Sequence, residues 1–241
     1  MPPPQREEAA MASPCLRDFA MKLLLSLPLL LLAPMAHAAE EDTQTWAAVH
    51  GMVGLGGRAV VNFDYQARIT DTHSRAGQVL LRQAIGYRIN PKTSVFGGYA
   101  YVRTDNLGAK VLDEHRLFQQ ANFSILDAGK NGAITGRTRL EQRFVEGSGE
   151  VGWRMRQQVR GALPIGKGLA LVGTAEPFFA FNRTTWGQKA GFDQLRLFGG
   201  IAVPVARGFA IETGYMGQYI ARDAKADRMN HIISLAITIN R

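Results

Sequence analysis

The chain has 241 residues, a formal net charge of +8 and a composition that is 46% hydrophobic. Its one cysteine, Cys15, lies close to the N-terminus, so the remainder is without disulfide staples, thiol nucleophiles or cysteine-ligated metals. The arginines alternate with apolar residues instead of clustering, which excludes a nucleic-acid patch and leaves anionic headgroups or acidic solutes as partners.

Residues 1–20 (MPPPQREEAAMASPCLRDFA) fit no part of a targeting signal and are read as an extension outside the fold, with Met21 as the candidate start. Met21-Lys22 then opens the apolar run LLLSLPLLLLAPMAHA, which ends in the small-x-small site Ala36-His37-Ala38. A cation, an apolar run and such a site make residues 21–38 a secretory signal peptide, with cleavage predicted after Ala38. One domain is then expected over residues 39–241. It keeps the whole positive charge, because Arg6, Arg17 and Lys22 offset Glu7, Glu8 and Asp18.

After Ala38 no stretch is long and apolar enough for a membrane helix. A period of two recurs instead, punctuated by Gly, Asn, Asp and Pro. The predicted strands are roughly Thr43–Val53, Arg58–Ile69, Gln78–Ile89, Thr93–Arg103, Glu114–Ile125, Ala133–Phe144, Val151–Ile165, Leu169–Phe181, Phe192–Val205, Phe209–Ile220 and Asn230–Asn240. Soluble strands run about 5–6 residues, whereas tilted membrane strands need about 9–11. The joints fall into two classes. GLGG, NPKT, PIGKG and PVARG are short; TDTHSRAG, TDNLGAKVLDEH, NRTTWGQKAG and ARDAKADRM are longer and polar. An outer-membrane barrel sorts its connections in this way, with short periplasmic turns and longer external loops.

The faces follow the same logic. In RTRLEQRF, Arg137, Arg139, Glu141 and Arg143 share one side, and Thr138, Leu140, Gln142 and Phe144 the other. In GWRMRQQVRGAL, Arg154, Arg156, Gln158 and Arg160 oppose Trp153, Met155, Val159 and Leu163. Asn62, Asp64, Gln66 and Arg68 oppose Val61, Phe63, Tyr65 and Ile69. Lipid-facing positions must be apolar and lumen-facing positions can carry charge. The predicted architecture is therefore all-β: an antiparallel up-and-down transmembrane barrel of about 12 strands, with 10 as the other admissible even number. Its predicted lumen carries a charge ladder of Glu114, Arg116, Arg137, Arg139, Glu141, Arg143, Arg154, Arg156, Arg160, Glu176, Arg196 and Glu212. Pro177 removes a ladder donor and implies a bulge or an edge; a kink there would aim Glu176 at the arginines.

EHRLFQQ (Glu114–Gln120), RTRLEQRF, WRMRQQVRGALP (Trp153–Pro164), AEPFFAFN (Ala175–Asn182) and FDQLRLFGGIAVPV (Phe192–Val205) follow in order, and together they resemble the bacterial family known as domain of unknown function 2490. The resemblance runs from about Thr45 to the C-terminus. It implies a signal-bearing outer-membrane β-barrel and carries over no catalytic residue.

Other motifs add little chemistry. His50, His115 and His231 stand apart, without metal-ligand spacing. A lipid-hydrolysing pair would need His115 or His231 as base and Ser124 or Ser234 as nucleophile, and no spacing supports it. Trp46, Trp153, Trp186, Tyr87, Tyr99, Tyr101, Tyr215 and Tyr219 fall mostly near strand ends and suggest interfacial belts. The expected function is a narrow or plugged outer-membrane barrel serving small-solute, including anion, passage or a structural role in the envelope. No enzyme activity, cofactor or metal is expected. Outer-membrane lipid, lipopolysaccharide and the barrel assembly machinery are the expected partners. Two alternatives stand beside this reading: an outer-membrane barrel enzyme acting on lipid or lipopolysaccharide, and a soluble periplasmic lipid-binding barrel with its apolar faces inward.

Overall fold

The computed structural model describes residues 39–70, 72–105, 110–223 and 225–241; the predicted extension and signal peptide lie outside the described residues. Among these, eleven strands form one closed barrel. They are β1 (Glu40–Gly56), β2 (Ala59–Thr70), β3 (Arg75–Asn90), β4 (Thr93–Thr104), β5 (Leu112–Asp127), β6 (Ala133–Val145), β7 (Val151–Gly166), β8 (Leu169–Ala180), β9 (Gly191–Ala206), β10 (Phe209–Ile220) and β11 (Arg228–Asn240). A single 3-10 turn, Gly129–Asn131, joins β5 to β6.

Chain neighbours pair antiparallel throughout, and the barrel closes by a parallel pairing of β1 with β11. Glu40 stands opposite Arg228 at one end of this seam, and Met52 opposite Asn240 at the other. The count lies between the expected ten and twelve. All eleven segments read from the sequence are strands, so none is missing or spurious. The even number assumed an antiparallel closure; with an odd number, the first and last strands point the same way and must pair in parallel. Gly51 permits that closure: a Cβ there would stand 2.0 Å from the Ile239 carbonyl oxygen.

The alternating direction of the strands sorts the joints by end. Residues 57–58, 91–92, 128–132, 167–168 and 207–208 lie at one end. The start of β1 and the described residues 72–74, 105, 110–111, 146–150, 181–190, 221–223 and 225–227 lie at the other, here called the mouth. The short joints carry glycine where the backbone demands it, as at Gly57 with φ of 56°.

The wall is apolar outside and charged inside. Ile85 is 70% exposed on the outer face, whereas Arg139 and Glu141 inside are 1% exposed. Ile233, Leu235 and Ile237 of β11 also face outward and are exposed. Outward polar side chains satisfy one another, as lipid requires. The amides of Gln119 and Gln142 exchange hydrogen bonds of 3.3 and 3.0 Å, and the Thr138 hydroxyl donates to Gln157 at 2.5 Å. A water-soluble lipid carrier needs the reverse arrangement, so the soluble-barrel alternative fails on the placement of its faces. Inside, near the short turns, Val60, Ala84, Phe96 and Phe118 form an apolar cluster with Met52 packed against it.

The aromatics divide. Trp153, Tyr87, Tyr99 and Tyr215 face outward and are exposed. Trp46 does not join them: it shares the inward parity of Asp42 and Gln44 and is buried in the lumen. Trp186 lies on the β8–β9 loop and turns toward the mouth, where the Arg143 guanidinium stands 4.8 Å from its ring.

Candidate functional site

Strand alternation brings the charges of β6 and β7 into one layer, with Arg139 opposite Arg156 and Glu141 opposite Arg154. Glu141 is the hub. Its Oε2 accepts from Arg154 Nε at 3.1 Å and Nη2 at 2.6 Å, and its Oε1 accepts from Arg156 Nη1 at 3.0 Å. Arg139 Nη1 stands 3.8 Å from the same carboxylate. Arg139 gives its stronger hydrogen bonds to Gln120 Oε1, donating from Nε at 2.7 Å and also from Nη2.

Glu176 of β8 is the second hub. Its Oε1 accepts from Arg137 Nη2 at 2.7 Å and from Arg156 Nε at 3.1 Å. Pro177 beside it leaves a gap in the β7–β8 ladder, which runs to Arg156–Phe178 and resumes at Val159–Ala175. The register shift falls on the other side, where Phe178 pairs with Gln194 and Phe179 with Phe192. That irregularity leaves Asp193 unpaired in the ladder, where its carboxylate takes Arg154 Nη1 at 3.0 Å. The Phe178 ring underlies this layer, with the Arg156 guanidinium 4.4 Å from its centroid.

Two further groups flank the layer. Toward the mouth, Glu114 accepts two hydrogen bonds of 2.7 Å from Arg116 and a third, 2.5 Å, from Arg143 Nε. Toward the short turns, Arg160 donates to Glu212, with Nη1 at 3.1 Å from Oε1, and its side chain is 32% exposed. Arg82 donates to Asp64 on the opposite wall of the lumen.

Above the layer lies a cavity of about 250 Å³ that reaches the mouth ends of the strands at Thr70, Thr104 and Ile220. Trp46, Arg68, Arg116, Arg196 and Gln218 line it, and among the described residues Glu114 is its one lining carboxylate. The β8–β9 loop covers part of the rim. Gln188 of that loop is buried; its Oε1 accepts from Arg143 Nη1 at 3.2 Å and its Nε2 donates to the Asn182 carbonyl at 3.0 Å. Gly152 makes room for the loop: a Cβ there would stand 2.6 Å from both Gln188 Oε1 and Trp186 Cζ2. Gly152→Val should push the loop out of the mouth. Trypsin should then cut at Arg183 and Lys189 several times faster than in the unsubstituted barrel, and an unchanged digestion pattern would show that the loop does not depend on this contact.

Residues 43–230 match the family described as a protein of unknown function, DUF2490. The chain belongs to this family. A Methylorubrum extorquens protein described as uncharacterised is 34% identical over 222 residues, which is 90% of this chain and 96% of that protein. Among solved structures, OmpT of the Vibrio cholerae outer membrane matches with a TM-score of 0.39 and 13% identity, over 67% of this chain and 55% of its own. An in-vitro folded trimer form of OmpT matches with a TM-score of 0.39 and 12% identity, over 71% and 59%. This chain thus spans little more than half the length of those structures.

The family match contains every ladder residue named from the sequence. All of them face the lumen, but in three groups, not one ladder: Glu114, Arg116 and Arg143 at the mouth, Arg137, Arg139, Glu141, Arg154, Arg156 and Glu176 in the central layer, and Arg160 with Glu212 below it. Arg196 joins none of the three as an ion pair. Glu176 stands directly across the sheet from it, yet both Glu176 oxygens go to other arginines. The ladder read from the sequence leaves out Asp64 and Arg68, although both were placed on one polar face, and Trp46, which was read as interfacial; Arg82, Gln120 and Asp193 were missed. Arg82 follows Val79, Leu80 and Leu81, and that apolar run hides it. The histidine–serine combinations are not assembled: His115 and His231 face outward against Tyr99 and Tyr215, each at 2.6 Å, while Ser124 and Ser234 share the inward parity of their strands.

Proposed function

We propose that this chain is an outer-membrane barrel of the bacterial envelope, plugged at mid-height, which holds small anions at its mouth and does not conduct freely. In this reading the signal peptide directs export, the short turns face the periplasm and the mouth faces outward. Lipid and lipopolysaccharide surround the apolar wall, and the barrel assembly machinery inserts it.

The observation that carries the reading is the central layer. Arg139, Glu141, Arg154, Arg156 and Glu176 are each at most 5% exposed, and Phe118 and Phe178 close the gaps among them. Side chains fill barrels of about 8 strands, and porins with an aqueous channel use 16–18; at eleven strands it is the long arginines and glutamates of this layer that occupy the lumen.

Heat-modifiability on a gel and planar-bilayer recording of the refolded protein test both halves of the proposal. A band that shifts on boiling, with no steps of open-pore size, is expected. A protein that stays in the soluble fraction would remove the membrane assignment, and stable porin-sized steps would remove the plug.

A further inference from the structure

The mouth cavity carries a charge imbalance that the plug does not explain. Arg116 and Arg143 share Glu114, and Arg154 is taken by Glu141 and Asp193. Arg68 and Arg196 have no carboxylate within salt-bridge distance among the described residues. Both stack on one ring: their guanidinium carbons lie 3.6 and 5.0 Å from the Trp46 centroid. Neutral amides orient them. Arg68 donates to Gln66 at 2.6 Å and to Gln78 at 2.5 Å. Arg196 faces the side-chain amide of Gln218, one end of which lies 3.2 Å from its Nε and 3.1 Å from its Nη2.

Two cations held on one buried indole repel each other and are costly to keep out of water. Neutral amides fix their direction without cancelling their charge. Such an arrangement is stabilised by an anion that enters the cavity and uses the remaining guanidinium N–H groups.

We propose that the mouth of the lumen is a binding site for a small phosphate-bearing dianion, held by Arg68 and Arg196 beside Trp46. The planar guanidinium fork matches phosphate oxygens, and a phosphate monoester carries about −1.5 to −2 charge near neutral pH, which suits two arginines that have no ion-pair partner among the described residues. The cavity of about 250 Å³ has the volume of roughly eight waters at about 30 Å³ each. It admits phosphate with a small organic group, or a lipid headgroup whose chains stay outside the mouth. The site rests on the plugged-lumen reading in one respect, since the central layer forms its floor.

Calorimetric titration of the refolded full barrel in detergent, with inorganic phosphate as the probe and chloride at equal ionic strength as the control, tests the site. Saturable binding of phosphate alone is expected, with affinity falling roughly tenfold or more for each of Arg68→Gln and Arg196→Gln. Absence of saturable binding in the unsubstituted protein overturns the proposal, as does binding that both substitutions leave unchanged. Thermal unfolding of the unsubstituted barrel gives a second readout that needs no variant: phosphate should raise the midpoint and chloride should not. Glycerol phosphate and dihexanoyl phosphatidic acid, run as competitors, separate a soluble ligand from a lipid headgroup; displacement by either supports the site, and displacement by neither overturns it. A conducting barrel that still binds phosphate removes the plug and keeps the site, whereas a closed barrel that binds none removes only the site.

Discussion

Glu141→Ala is expected to lower the unfolding free energy of the barrel by about 3–5 kcal/mol, the cost of leaving buried charge without its partner. Glu141 accepts from Arg154 and Arg156 and stands near Arg139, so its loss leaves one layer of guanidinium groups with Glu176 and Asp193 as their remaining carboxylates. Water cannot readily relieve them, because Arg139 is 1% and Glu141 1% exposed. Glu212→Ala is the comparison. Its partner Arg160 is about a third exposed, solvent screens the pair, and the loss should be about 1 kcal/mol or less. Urea unfolding of both variants in the same detergent, followed by tryptophan fluorescence, measures the difference. Equal losses would mean that the central layer is hydrated in solution and is not a dry plug.

The second large effect concerns permeability. Replacing Arg139, Glu141, Arg156 and Glu176 together with alanine removes two cations and two anions, so the layer loses its bulk with no change in net charge. In this balanced removal Arg154 keeps Asp193 while Arg137 loses Glu176, and the energies of neighbours in one network do not add. The quadruple variant should fold and should conduct in planar bilayers where the unsubstituted barrel does not. It should favour anions, because Arg68, Arg116 and Arg196 remain above the opened layer. Arg139→Ala with Arg156→Ala alone leaves both carboxylates in place and should shift the preference away from anions. Identical ion selectivity in the two variants would show that lumen charge does not set passage in this barrel.

The strands were legible because lipid outside and charge inside impose a strict period of two, and that period survives in RTRLEQRF and WRMRQQVRGAL without a partner in view. The ladder residues were legible for the same reason. What alternation does not carry is which strand meets which across the lumen. Glu141 and Arg154 are hairpin neighbours, and their contact follows from register. Glu114 and Arg143 also lie on adjacent strands, two residues off register and so on the same face. The loop contact of Gln188 with Arg143 has no such rule, and neither does the pairing of Arg154 with Asp193, which depends on one irregular residue in β9. Trp46 was misplaced for a different reason. A tryptophan near a strand end is usually interfacial; here the inward parity of β1 outweighs that tendency, and two arginines supply the partners that make burial of its ring favourable.

The parallel seam has a kinetic consequence. Every other strand pair joins segments adjacent in the chain, so ten hairpin-like pairings can form by local zippering. The pairing of β1 with β11 joins segments from opposite ends of the described chain, and its loop-closure entropy is the largest in the molecule. Until it forms, an open eleven-stranded sheet exposes two unpaired edges, the state in which such a chain is most apt to pair with another copy. Closure of the seam is therefore the slowest pairing expected of this chain, and a side chain at Gly51, which would meet the Ile239 carbonyl oxygen, should leave the sheet formed and the ring unclosed.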